Sequence, residues 1–456
     1  MHARGAGMIF KTLKNKRITP SQIIILGFLA LILAGTVLLM LPFATQDGHG
    51  APLLDALFTA TSATCVTGLV VQDTASYWSA FGQGVILVLI QIGGLGVVTM
   101  GITIAMVTGR RIGLKQRWVM QESISAPQMG GILRQTRFIL RTVLGIEVTG
   151  AVLLLGPCIR QFGPLRGVWY AVFHSISAFC NAGFDLMGIR EPFSSLTTLG
   201  GSVPVALTLS ALIIVGGLGF FTWRDLYDNR LRWKRYTLQT KLVLVTTAVL
   251  LLGGFAFFLY EFSQPQWRHL SAGRRVLEAW FQSVTTRTAG FNMADLTAMD
   301  PAAQLVTILL MLVGGSPGST AGGFKTTTLA VLVLGTRAVF RHRSSAQCFG
   351  RRISDETLRN ASALLTLYVG LFLGGGLLIC CIDGVPLMGA LFESASAVGT
   401  VGLSLGLTPG LSVVSHLILI FLMVFGRVGG LTMIYAVTSG AAPERSQLPQ
   451  ERVTVG

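Results

Sequence analysis

Thr64-Cys65-Val66-Thr67-Gly68-Leu69 decides the architecture, because three further stretches echo it. They are Phe179-Cys180-Asn181-Ala182-Gly183-Phe184, Thr286-Arg287-Thr288-Ala289-Gly290-Phe291 and Val398-Gly399-Thr400-Val401-Gly402-Leu403. An aromatic stands ten residues before each glycine, at Phe58, Phe173, Trp280 and Phe392. A second signature follows in the next apolar block: Gly93-Gly94, Gly216-Gly217, Gly314-Gly315, and Gly426 with Gly429-Gly430. A lone glycine pair says little among 55 glycines. Four in register define an internal fourfold repeat.

The surrounding composition places these repeats in a membrane. Of 456 residues, 52% are hydrophobic and only 12% charged, where a soluble domain carries about 25%. No Asp, Glu, Lys or Arg lies between Asp73 and Arg110, Glu191 and Arg224, or Glu393 and Arg427. A spanning helix needs about 20 apolar residues. Eight blocks qualify, near 20–42, 80–107, 138–159, 203–222, 242–262, 303–336, 361–382 and 412–438. The first is too long for a signal-peptide core. Four shorter blocks, near 53–67, 168–182, 276–289 and 387–401, read as re-entrant. The expected fold is an all-α membrane protein of four span–pore-loop–span repeats around one ion pore. Its units are an N-terminus at 1–20, repeats at 21–109, 110–225, 226–345 and 346–440, and a tail at 441–456.

The net charge of +16 is spread over clusters between apolar blocks rather than gathered in one patch, so nucleic acid is not an expected partner. The clusters run from Arg4 to Arg17, Arg110 to Arg137, Arg224 to Lys241 and Arg337 to Arg359. Cytoplasmic loops carry such an excess, which predicts both termini inside. The cysteines Cys65, Cys158, Cys180, Cys348, Cys380 and Cys381 form neither a zinc pattern nor a disulfide framework.

Irregular backbone at membrane depth is tolerated where it is buried or lines water. Four such loops suggest a ring around an axis, and its natural occupant is a cation. Backbone carbonyls can replace a hydration shell, and glycine lets the chain turn them inward. The half-helix before each glycine would aim its partly negative end at the axis. No acidic residue lies in the loops, which favours a monovalent ion over a divalent one. The candidate filter for such an ion is Val66, Thr67 and Gly68 with Asn181, Ala182 and Gly183, then Thr288, Ala289 and Gly290 with Thr400, Val401 and Gly402. Arg287 is expected to point behind its loop and tether it through carbonyls.

These loops, together with Ala60-Thr61-Ser62-Ala63 before the first, Gln282-Ser283-Val284-Thr285 before the third and Asp185, Asn292 and Ser404 beyond, resemble the membrane subunit of a Ktr-type potassium uptake system in the Trk/Ktr/HKT superfamily. The similarity covers nearly the whole chain. It implies potassium transport in the bacterial inner membrane, a homodimer among membrane lipid, a cytoplasmic ring of nucleotide-binding regulatory subunits, and sodium as an activator. The tail Pro449–Val455 resembles an ending that relatives place at the dimer interface.

Within the sixth span, Gly314-Gly315-Ser316-Pro317-Gly318-Ser319-Thr320-Ala321-Gly322-Gly323 cannot hold a regular helix at about 1 kcal/mol per Gly and 3 for Pro. The resemblance makes this stretch an intramembrane gate below the filter and Arg427 a part of it. Lys325 either joins the gate or snorkels to the interface; Arg427 can gate and also bond loop carbonyls. His174 and Glu393 are expected to make buried hydrogen bonds, and Asp55 and Glu278 to cap the starts of half-helices. Gly318–Thr326 misses the phosphate-loop pattern because Phe324 parts glycine from lysine, and Gly94-Leu95-Gly96 and Gly217-Leu218-Gly219 read as close-packing sites. No nucleophile–base pair supports an enzyme. A coupled cation symporter is the alternative, since broken helices occur there too.

Overall fold

The computed structural model describes residues 19–107, 113–123, 132–189, 191–199, 201–230 and 232–438. The basic N-terminal cluster, Arg110, Arg111, Arg190 and the tail lie outside the described residues.

Each quarter contains a first span, a half-helix, a loop and an interrupted second span. The first quarter has α1 (Pro20–Leu39), α2 (Leu53–Cys65), α3 (Ala80–Leu95) and α4 (Val97–Val107). After a short α5 (Leu114–Ser123), the second has α6 (Ile132–Phe162), α7 (Pro164–Phe179), α8 (Val203–Leu218) and α9 (Phe220–Asn229). The third has α10 (Leu238–Glu261), α11 (Ala272–Thr285), α12 (Pro301–Leu312) and α13 (Thr326–Phe340). A small hairpin pairs Gln347–Cys348 with Arg351–Arg352. The fourth quarter has α14 (Asp355–Asp383), α15 (Leu387–Gly399), α16 (Val413–Val428) and α17 (Gly430–Thr438).

Local chemistry sets the starts. Thr19 and Gln22 form a capping box on α1, with Pro20 in its first turn. The side chains of Ser79, Thr237, Ser271, Ser354 and Ser412 accept backbone amides at the heads of α3, α10, α11, α14 and α16. The first spans α1, α6, α10 and α14 are each long and apolar enough to cross a bilayer.

The second spans differ from the expectation of one broken helix among eight. All four are interrupted. Gly96, Gly219 and Gly429 take φ of +89°, +92° and +92° with ψ of 131°, 142° and 137°, a region closed to side-chain-bearing residues. The chain turns by 93° between α8 and α9, and by 97° between α16 and Gly430–Ala436. Three quarters therefore break at a single glycine, the last of Gly-Gly-Leu-Gly in two of them and of Gly-Arg-Val-Gly in the other. The third breaks over the whole stretch between α12 and α13.

The quarters close into a circle. Each second span packs on the half-helix of the next: α3 on α7, α8 on α11, α12 on α15, and α16 back on α2. Small residues make this approach possible. A side chain at Gly93, Gly216 or Gly426 would collide with the carbonyl oxygen of Thr64, Phe179 or Val398 respectively. Each of those carbonyls lies four residues before the loop glycine of its own repeat.

Gly429 has open space around its Cα, so only its backbone angle forbids a side chain. Gly429→Ala is expected to destabilise by about 1–2 kcal/mol. Gly84→Ala, in helical backbone and equally open space, is expected to gain roughly 0.5–1 kcal/mol. Denaturant unfolding in detergent measures both, and equal effects would contradict the assignment of the bend to backbone strain.

Candidate functional site

The four loops have one backbone design. The residue two before each glycine is left-handed: Val66 (φ 57°), Asn181 (59°), Thr288 (66°) and Thr400 (51°). Three of these are β-branched, for which that region is unfavourable. The glycines follow at φ 93°, 70°, 81° and 94° for Gly68, Gly183, Gly290 and Gly402. This alternation stops the half-helix and turns the chain sharply.

The glycines meet in a closed ring. A Cβ on Gly68 would stand 2.5 Å from Ala182 O, and one on Gly183 would stand 2.9 Å from Ala289 O. One on Gly290 would strike Val401 O, and one on Gly402 would strike Thr67 O. Each glycine thus abuts the residue before the glycine of the next repeat, and the fourth returns to the first. Eight of the filter candidates, Thr67, Gly68, Ala182, Gly183, Ala289, Gly290, Val401 and Gly402, come together here, and Val66, Asn181, Thr288 and Thr400 are the left-handed residues that precede them.

Side chains to which the sequence assigns no role of their own brace these loops. Ser62 Oγ accepts the Gly68 amide at 3.1 Å, and Ser396 Oγ accepts the Gly402 amide at 3.0 Å. Ser177 Oγ donates to Phe184 O at 2.7 Å, and Thr285 Oγ1 donates to Phe291 O at 2.8 Å. The signal was available: Ser-Ala stands six residues before the glycine in three repeats, at Ser62-Ala63, Ser177-Ala178 and Ser396-Ala397. The third repeat is out of step by one. Its hydroxyl is five residues before the glycine, and its buried aromatic is Phe281 rather than the expected Trp280.

His174 and Glu393 occupy matching positions nine residues before their glycines and do matching work. His174 Nε2 accepts the Leu186 amide at 3.3 Å while Nδ1 bonds Tyr170 O at 2.7 Å. Glu393 accepts the Leu405 amide at 3.2 Å, Ser404 Oγ at 2.5 Å and Thr408 Oγ1 at 2.6 Å. Both hold the strand that leaves the ring, as expected of buried hydrogen-bonding residues.

Two expectations fail. Arg287 is 7% exposed, but its Nε has no partner among the described residues, so the expected tether is not made. Glu278 does not cap a helix start; it lies mid-helix and accepts Arg274 Nε at 2.8 Å. Asp55 does stand in the first turn of α2, where it accepts Gln72 Nε2 at 2.9 Å.

Below the ring, residues 313–325 fill the space among the broken second spans. Those spans end in carbonyls that have no helical partner, and the unwound segment supplies donors. Ser316 N bonds Gly217 O at 3.0 Å, Thr320 N bonds Gly216 O at 3.3 Å, and Gly323 N bonds Gly426 O at 3.2 Å. Its own carbonyls are served in return, since Phe220 N bonds Gly318 O at 2.7 Å. Thr320 Oγ1 donates to Phe179 O at 3.0 Å, and Ser316 Oγ lies 3.0 Å from Thr326 Oγ1.

Arg427 completes the set. Its guanidinium donates to Thr320 O, to Gly93 O and, at 2.9 Å, to Gly94 O. It stands where two other repeats have the second glycine of their pair, Gly94 and Gly217. One side chain therefore joins the unwound segment to the first and fourth repeats. Lys325 folds back on the same segment, with Nζ donating to Ala321 O at 2.8 Å and Gly322 O at 3.3 Å, and does not snorkel away. Gly314, Gly315, Pro317, Gly318, Gly322 and Gly323 form the remaining backbone of the segment.

Two cavities flank this assembly. One of about 650 Å³ has all four ring glycines in its lining. The other, about 220 Å³, is lined by Ala321, Gly323, Lys325 and Arg427. The ring and the unwound segment stand between them.

Hydrogen bonds to charged groups are worth about 1.5–3 kcal/mol. Arg427→Ala should therefore lower hydrogen-exchange protection at Ser316, Thr320 and Gly323 by at least about tenfold. Mass-resolved exchange on the purified protein checks this, and unchanged protection would show that the segment holds without the arginine.

Comparison with known proteins bears on the whole chain. Residues 10–441 match the TrkH family of cation transport proteins. The potassium/sodium uptake protein NtpJ of Enterococcus hirae is 39% identical, over 98% of this chain and 100% of its own length. The Ktr system potassium uptake protein B of Bacillus subtilis is 38% identical, over 93% of this chain and 94% of its own. The crystal structure of the potassium transporter TrkH from Vibrio parahaemolyticus superposes with a TM-score of 0.70 at 20% identity, over 93% of this chain and 86% of that one. At that identity the likeness speaks for the fold alone.

Proposed function

The chain belongs to the TrkH family of cation transport proteins, and from that premise we propose that it takes up potassium through the glycine ring. The observation that carries the reading is the closed circle of Gly68, Gly183, Gly290 and Gly402, each set against the carbonyl of the next repeat. Potassium sheds water there and takes carbonyl oxygens of residues 66–68, 181–183, 288–290 and 400–402 in exchange. Glycine is needed because any side chain would strike a neighbouring carbonyl. The absence of carboxylates in these loops suits an ion of single charge.

Below the filter, residues 314–323 with Lys325 and Arg427 form the gate. The bonds of the segment to the second and fourth repeats, and through Arg427 to the first, support reading this arrangement as the closed one. Opening requires that its donors leave the carbonyls of Gly216, Gly217 and Gly426 and that Arg427 release Thr320. The membrane potential supplies the drive, about 2.3 kcal/mol per charge per 100 mV.

The Lys and Arg excess of the loops supports cytoplasmic termini, and the resemblance to Ktr systems supports a bacterial inner membrane. The quarters are those drawn from the sequence, with bounds at 21–109, 110–225, 226–345 and 346–440. As in the Ktr systems it resembles, the chain works as a homodimer with a cytoplasmic ring of nucleotide-binding subunits, and sodium stimulates uptake. Coupled symport is the second reading, favoured by the sodium in the name of the Enterococcus relative.

Uptake of radioactive rubidium into proteoliposomes tests the proposal. Wild type should show uptake blocked by potassium and weakly by sodium. Gly290→Ser should lose that preference, and deletion of Gly315–Gly322 should raise flux. Strict dependence of rubidium uptake on a sodium gradient would favour symport. No change of preference in the serine variant would overturn the filter assignment.

A further inference from the structure

The cavity above the ring has a charge opposite to that of the chain. The protein carries +16 overall, yet Asp73, Asp185, Glu191, Glu278 and Asp295 line this space, with Arg274 the single Lys or Arg there among the described residues. Low-dielectric clefts lined by one sign of charge concentrate the opposite ion.

The fourfold repeat places particular side chains at its floor. Two residues beyond the ring glycines stand Val70, Asp185, Asn292 and Ser404, and all four line the cavity. Three are oxygen donors, and they come from consecutive repeats. Asp185 makes no ion pair among the described residues; its Oδ1 accepts the Met187 amide at 3.0 Å. Asn292 Oδ1 has no partner among the described residues. Glu278, also in the lining, is 2% exposed. Its Oε1 is held by Arg274, and its Oε2 has no partner among the described residues.

We propose that Asp185, Asn292 and Ser404 hold a hydrated alkali cation directly above the filter. This site rests on the filter reading given above and extends it by one step. The ion is captured with its water before the ring removes that water. The donor set is one unpaired carboxylate, one amide oxygen and one hydroxyl. Divalent cations draw on several carboxylates, and no group of three acidic, His or Cys side chains suited to a metal occurs among the described residues. Weak capture also suits conduction, since an ion must leave as readily as it arrives.

Rubidium binding to the purified full-length protein and initial rubidium uptake in proteoliposomes test the site. Wild type, Asp185→Asn and Gly290→Ser would be compared at low and high choline chloride. Asparagine keeps an acceptor for the Met187 amide, so the loop is retained while the charge is lost. For Asp185→Asn at low ionic strength, the half-saturating rubidium concentration should rise roughly 3- to 10-fold. The effect should fall on half-saturation rather than on maximal rate, and high salt should erase it. Gly290→Ser should change the rubidium-to-sodium preference while keeping the low-salt advantage. An Asp185→Asn shift that is absent, that persists at high salt, or that falls on maximal rate alone would overturn the site and leave Asp185 as a loop brace. Loss of the transport reading would show instead as absent flux in wild type, and the binding arm would still decide the site.

Discussion

Backbone groups freed from helices inside a bilayer must find partners within the protein, because lipid offers none. Every special feature of this chain answers that constraint. Four second spans break, and terminal carbonyls at Gly94, Gly216, Gly217 and Gly426 would otherwise be orphans. The unwound segment and Arg427 supply the missing donors. Four loops leave their half-helices at left-handed residues, and hydroxyls or the buried His174 and Glu393 complete their bonding. The same arrangement positions the proposed ion path. Carbonyls turned from helices toward an axis are what a dehydrated cation requires, and amides released below them are what a removable plug requires.

The repeats are alike in geometry but not in chemistry, and the differences carry the proposed control. Three second spans turn at one glycine. The third instead unwinds over 313–325 and occupies the centre. The fourth replaces a packing glycine with Arg427, which reaches the first repeat and the unwound segment together. A symmetric assembly of four identical chains would need four such segments in one space. A single chain with four unequal quarters needs one, and can tie it to each of the other three.

Much of this was legible in the residues. Glycine periodicity and apolar blocks gave the four quarters, and the run from Gly314 to Gly323 marked the unwound stretch by composition alone. The kinks at Gly96, Gly219 and Gly429 were not foreseen. A single glycine in an apolar helix packs closely in one protein and turns in another, and φ is set by tertiary contacts. The bracing role of serines 62, 177 and 396 was not foreseen because a hydroxyl near a helix end has many uses. Their common spacing before the loop glycine becomes meaningful once the ring is closed. Arg287 was misassigned because charge alone suggested a tether, while its Nε finds no partner among the described residues. The acidic cavity was invisible because its carboxylates come from loops far apart in sequence.

Thallium is a potassium mimic with strong anomalous scattering, and crystals of the full chain soaked in it would locate the ion directly. The account predicts an anomalous peak at the centre of the ring, between the carbonyl oxygens of Thr67, Ala182, Ala289 and Val401. No peak there, with thallium bound instead among the broken second spans, would contradict a carbonyl-lined filter at the four glycines.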